Sequence, residues 1–206
     1  RYFEKYGVEM PDQNIELKYG DCVYVDLNED GIIDQNDQKP LGYTDNPEIT
    51  YSVNFNFQWK GLDFTMLWIG ADHVSRSLNG YFRAQFGSTN TSALTQWVAD
   101  NSWTEDNPDA ILPRISISNR VHNNRESQAW VIDSKYVRLK NVEIGYTFTP
   151  KKKSFFNYIR VYASGNNLLT FADFKGNDPE APGSGLDFGV RYPMTRLFNI
   201  GAQFNF

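Results

Sequence analysis

The chain has 206 residues, 40% of them hydrophobic and 16% aromatic, with 20 Lys and Arg against 25 Asp and Glu for a formal net charge of −5. That balance argues against nucleic acid as a partner, since phosphate binding needs a basic surface. A mean hydropathy of −0.55 and the lack of any long apolar run exclude a transmembrane helix.

These figures fit an ordinary globular domain, and equally a membrane β-barrel, whose strands are half apolar and whose loops are polar. The single Cys22 has no internal disulfide partner and says little about compartment. The chain opens at Arg1 without Met or a charged-then-apolar leader, which reads as a fragment or a processed product with further sequence upstream.

Residues 1–48 read as a loop region built around one motif. Asp26, Asn28 and Asp30 occupy positions one, three and five of a twelve-residue loop with EF-hand or dockerin spacing. Gly31 fills the tight turn at six, Ile32 offers its backbone carbonyl at seven, Asp34 acts directly or through water, and Asp37 stands at twelve. Calcium takes oxygen ligands of this kind, and packed carboxylates repel one another until a cation neutralises them. EF-hands place Glu at twelve, whereas the Asp here follows the dockerin pattern, and the segment before the loop reads as extended chain. The expected role is therefore structural, with an acidic, solvated loop as the competing reading.

Five segments then alternate apolar and polar residues with the period of two that puts them on opposite faces of a strand. The first, 49–59, sets Tyr51, Val53, Phe55, Phe57 and Trp59 against Ser52, Asn54, Asn56 and Gln58. Lys60-Gly61 predicts a tight turn into 62–72, with Leu62, Phe64, Met66 and Trp68 interleaved with Asp63 and Thr65. A long loop follows at 73–133. Within it Leu94, Trp97 and Val98 have helical spacing, with Thr91 or Ser92 as a cap. Trp97, Trp103 and Trp130 are candidates to stack on cargo, although rings of this size also serve to pack a loop. His73 and His122 lie apart without Cys or carboxylate at ligand spacing, which argues against zinc.

The third strand is expected at 135–149, with Val142, Ile144, Tyr146 and Phe148 on one phase and Asn141, Glu143, Gly145 and Thr147 on the other. A short turn carrying Lys151–Lys153 leads to a strand at 157–170 with Ile159, Val161 and Ala163. After a second long loop, 171–193, the last strand, 194–206, carries Phe198, Ile200, Ala202, Phe204 and Phe206. A final Phe closing such a strand suits an outer-membrane barrel, whose last strand must pair with its first.

A soluble sandwich would give the same alternation with its apolar face inward. Large aromatics at the strand ends and connections that alternate short and long favour the barrel, with short periplasmic turns and long extracellular loops. On that reading the five strands run down, up, down, up, down and finish on the periplasmic side. Five strands cannot close a barrel, because an open edge in lipid leaves backbone groups unpaired, so more strands are expected from the same precursor or another copy.

The phrases GDCVYVDLNEDGIIDQNDQKPLG, NSWTEDNPDAILPR, SKYVRLKNVEIGYTF, RVYASGNNLLTF, FKGNDPE and RYPMTRLFNIGAQFNF follow one another along the chain. In this order they resemble the carboxyl-terminal part of SusC/RagA-like TonB-dependent outer-membrane transporters. The resemblance implies an all-β fold, about the last five strands of a 22-stranded barrel with an amino-terminal plug. It further implies import of oligosaccharides or oligopeptides in a Gram-negative outer membrane, driven by TonB through a plug that these residues do not include. A SusD-like surface lipoprotein is the expected lid partner. No constellation suited to catalysis stands out, and no enzyme activity is expected. The alternative is a soluble extracellular calcium-binding β-sandwich of lectin or adhesin type.

Overall fold

Lys60 and Gly61 both adopt left-handed backbone conformations, with φ of +47° and +90°. This is what a two-residue hairpin loop requires to match the twist of its strands. The computed structural model, which describes residues 10–78, 82–83, 94–116, 120–151, 155–180 and 192–206, places this turn between strands β1 (Ile49–Trp59) and β2 (Leu62–Asp72). Their register runs without a slip from Ile49 opposite Asp72 to Trp59 opposite Leu62. A short ladder pairs β3 (Ser75–Ser77) with β4 (Val131–Asp133), and the chain continues into β5 (Tyr136–Phe148), β6 (Tyr158–Ala172) and β7 (Leu197–Asn205). The five long strands form one antiparallel sheet in the order β1-β2-β5-β6-β7, open at both edges.

The register joins the alternating residues into rows. Phe57, Phe64, Ile144, Ala163 and Ile200 lie side by side across the sheet, as do Trp59, Leu62, Tyr146, Val161 and Ala202. Between these rows, on the other face, run Gln58, Asp63, Gly145, Tyr162 and Gly201. A sandwich would bury the first set. Instead Phe55, Phe57, Ile144 and Phe204 stay 46%, 45%, 49% and 52% exposed. Half-exposed aromatics on every strand of a sheet mark a surface that needs an apolar environment of its own.

One register irregularity shapes the upper half of the sheet. Between two matched rows β2 advances from Leu67 to Trp68, β5 steps from Asn141 to Leu139, and β6 steps from Asn166 to Leu169. The extra residue on β5 is Lys140, a bulge relative to β2. It switches the phase of β5, so Leu139 and Val137 join the apolar rows beside Trp68, Leu169 and Phe171, while Arg138 turns to the polar face.

The chain divides into two compact units. Tyr43–Arg76 with Ile132–Phe206 make the sheet unit, and the other comprises 1–42 with Ser77–Val131. Much of the 73–133 loop thus groups with the amino-terminal residues. The loop unit has its own small core of Leu78, Phe82, Val98, Leu112 and Trp130. Its helix α1 (Gln96–Asn101) includes Trp97 and Val98 of the expected spacing but starts after Leu94. Thr95 caps it, its hydroxyl accepting from the Val98 amide at 3.3 Å. The proposed caps Thr91 and Ser92 lie outside the described residues, as do Lys152 and Lys153. Asn101 and Ser102 donate to the Trp97 and Val98 carbonyls and stop the helix after six residues. A further single turn, α2 (Arg120–Asn123), follows. Among the described residues no helix is long and apolar enough to cross a membrane.

Candidate functional site

The polar face of the sheet carries a charged cluster that spans three strands. Arg160 of β6 donates through Nε to Asp63 of β2 at 3.0 Å, and through Nη2 to the other Asp63 oxygen and to Glu143 of β5 at 2.6 Å. Strands lie about 4.8 Å apart, so an arginine reaching from β6 to β2 must cross the whole of β5. It does so over Gly145, where a Cβ would collide with both the guanidinium and the Asp63 carboxylate. Tyr162 uses the same device on this face, laying its ring over the cross-strand Gly201, and Tyr51 does so over Gly70 on the apolar face. The Arg160 guanidinium also stands 4.9 Å from the Tyr162 ring centroid. The result is a hydrogen-bonded, aromatic-flanked wall of the kind that suits water on one side and an apolar medium on the other.

Higher on the same face, Arg138 is held among carboxylates. Its side chain is 2% exposed and pairs with Asp178 at 2.6 Å and Glu180 at 2.5 Å, while Lys140 reaches Glu180 at 3.2 Å. The sequence reading missed both clusters. The signal was present in charged residues on the polar phase (Asp63, Glu143, Arg160) and in the change of phase at Lys140.

In the loop unit the calcium motif folds as a tight loop. Gly31 sits at φ +84° and Glu29 at +62°. Asp26 accepts from the Glu29 and Gly31 amides at 2.7 and 2.6 Å, Asn28 from Asp30 at 3.2 Å, and Asp30 from Ile32 at 2.9 Å. Asp34 caps a single 3-10 turn, and Asp37 closes the loop by accepting from Asp34 at 2.8 Å and Leu27 at 2.7 Å. Those backbone donors hold the Asp37 carboxyl below its ordinary range. Each carboxylate thus orients the backbone of the loop. Among the described residues no three His, Cys, Asp or Glu side chains converge into a metal-sized cluster.

The three tryptophans divide. Trp130 is 1% exposed, and its Nε1 donates to the Asn123 carbonyl at 2.8 Å, so its ring packs the loop core and offers no face to cargo. Trp97 stands edge-to-face with Phe82 at 5.8 Å, and Trp103 covers Gly20; both are half-buried. The loop core closes on a polar pin: the Asp21 carboxylate accepts from Arg114 at 2.5 Å and from Asn123 at 2.9 Å. Beside it His122 bonds the Cys22 carbonyl at 2.9 Å through Nε2, and Tyr24 donates to the His122 carbonyl at 2.6 Å.

No family model matches the chain. Among curated proteins it is 30% identical to TonB-dependent receptor P3 of Formosa agariphila over 91% of its length, and 30% identical to receptor P26 of the same organism over 91%. Among solved structures it matches the RagAB peptide importer in its open-open state with a TM-score of 0.68, at 24% identity over 96% of this chain. The closed-closed state of that importer gives 0.65 over 95%. The chain is thus similar in sequence to TonB-dependent receptors and in fold to the RagAB importer. It spans about a fifth of the length of these relatives, 19% and 20% of the two receptors and 21% of the importer chain. The antiparallel sheet is a sector of a transmembrane β-barrel fold, not closed by these strands alone. The relatives it matches are named as receptors and importers, in keeping with a part that performs no chemistry.

Proposed function

We propose that these strands form the carboxyl-terminal wall of a TonB-dependent outer-membrane importer of oligopeptides or oligosaccharides. In this reading the apolar rows face lipid, and the Asp63–Glu143–Arg160 face lines the lumen. The Lys60-Gly61 turn is periplasmic and the long loops are extracellular. A SusD-like lipoprotein caps the receptor, and TonB acts through a plug carried elsewhere in it. The observation that supports this most is the continuous apolar surface crossing all five strands at half exposure, which no other element among the described residues of the sheet unit covers. The same observation weighs against a sandwich, which would need a second sheet there.

The test uses the whole receptor in its native membrane. It should need detergent for extraction, run with heat-modifiable mobility, co-purify with a surface lipoprotein and take up labelled oligopeptide or oligosaccharide only when TonB is present. Extraction in plain buffer, with uptake indifferent to TonB, would refute the proposal.

Calcium is the second part of the reading: Asp26, Asn28, Asp30, the Ile32 carbonyl, Asp34 and Asp37 bind it and stiffen the loop. The twelve-residue spacing and the left-handed turn at Gly31 support this, and binding would draw the carboxylates together. Calorimetric titration should give calcium heats that Asp30→Ala with Asp37→Ala removes; equal heats from parent and variant would refute the site. Trp97 and Trp103 remain the tryptophans proposed to meet cargo or lid.

A further inference from the structure

The segment that follows β6 folds back over the polar face of the sheet and is tied there at several points. Phe174 is buried, 8% exposed, and Pro179 is buried as well. Asp178 is the knot. Its Oδ1 accepts from Arg138 Nη2 at 2.6 Å and from the Glu180 amide at 2.9 Å, and its Oδ2 accepts from the Met194 amide of the returning chain at 3.0 Å. Glu180 adds its ion pairs with Arg138 and Lys140. Beneath the segment lies a hollow of about 320 Å³ bordered by Arg138, Asn167, Thr170, Asn177 and Arg196. Three of these residues carry a buried polar atom without a hydrogen-bond partner: Arg138 Nε, Asn167 Oδ1 and Asn177 Nδ2.

We propose that residues 173–180 are a lid over this hollow, and that Arg138 is its latch. The physical case is one of charge. A guanidinium with its side chain almost wholly enclosed is stable only while its carboxylates are present, and removing one partner of a buried pair leaves an uncompensated charge. The contacts of Arg138 with Asp178 and Glu180 therefore stand or fall together, so the lid leaves as a unit. The Lys140 bulge makes the latch possible, because without the phase change Arg138 would point to the apolar face. When the lid lifts, it frees the Arg138 and Lys140 cations from Glu180 and uncovers the side chain of Asn167. That polar lining suits a hydrated solute carrying an acidic group.

The inference rests on the barrel reading for which side is the lumen, but its test does not. The whole receptor in detergent is treated with trypsin, and cleavage after Lys175 in the lid is followed by mass spectrometry, with Lys175→Gln identifying the product. The variant Asp178→Asn with Glu180→Gln alters only the lid, and Arg138→Gln alters only the latch. Both are expected to speed this cleavage about tenfold or more, since a latched segment is cut through local opening. Arg160→Gln, which breaks the other charged cluster, is expected to leave it unchanged. If the lid variant is cut at the parental rate, or if Arg160→Gln accelerates cleavage equally, the latch is refuted. Should Arg138→Gln fail to assemble, the lid variant alone decides. Heat-modifiable mobility of the parent reports separately on the barrel.

Discussion

Cys22 shows how burial sets chemistry at a single atom. Its thiol is pushed up to about 11, chiefly by burial and then by the neighbouring Asp21 charge. A thiol that high is neutral at physiological pH, and only the thiolate is nucleophilic. Native receptor should therefore react with iodoacetamide at Cys22 about a hundredfold more slowly than a free cysteine at pH 8, with the rate climbing toward pH 11. A rapid reaction at pH 8 would mean that the Asp21–Arg114–Asn123 pin does not close the loop core as described. The same neighbourhood explains why a lone cysteine carried no message in the sequence. Its partners, Asn123 and His122, are about a hundred residues away, and no local pattern links them.

At the scale of elements, the strands were legible because a period of two is enforced by geometry. The expected 49–59 and 62–72 match β1 and β2 residue for residue, and 135–149 differs from β5 by one residue at each end. The last strand begins later than expected, at Leu197, since Met194 to Arg196 carry no alternation to mark an edge. What stayed hidden was cooperation between strands. Asp63, Gly145 and Arg160 each read as an ordinary member of the polar phase, and only the register reveals that the glycine gives the arginine passage. The helix in the long loop was visible through Leu94, Trp97 and Val98, but its start was not, because Thr91, Ser92 and Thr95 are equally good caps by composition. Trp130 illustrates the limit for sites: a large ring in a loop has the same sequence signature whether it greets a ligand or fills a core.

For the whole molecule, the decisive quantity is which face of the sheet meets lipid. Ile144 sits at the centre of an apolar row between Phe64 and Ala163, whereas Asn56 lies on the opposite face. A lysine at a lipid-facing position near the bilayer midplane costs about 2–4 kcal/mol, while one facing water costs little. In the full receptor Ile144→Lys should lower the temperature of the heat-modifiable transition and reduce the amount in the outer membrane. Asn56→Lys should leave both near parental values. The reverse ranking would exchange the two faces and remove the transporter reading.

The one-residue stagger at Lys140 carries an evolutionary corollary. A sheet whose successive strands advance by one, two and three residues over the same rise cannot gain or lose a single codon in β5 without turning everything above that point inside out, sending an arginine to the apolar face and two aliphatics to the polar one. Drift in length is thereby steered into the hairpin connections, and the strand itself is left to vary only by exchange of one side chain for another.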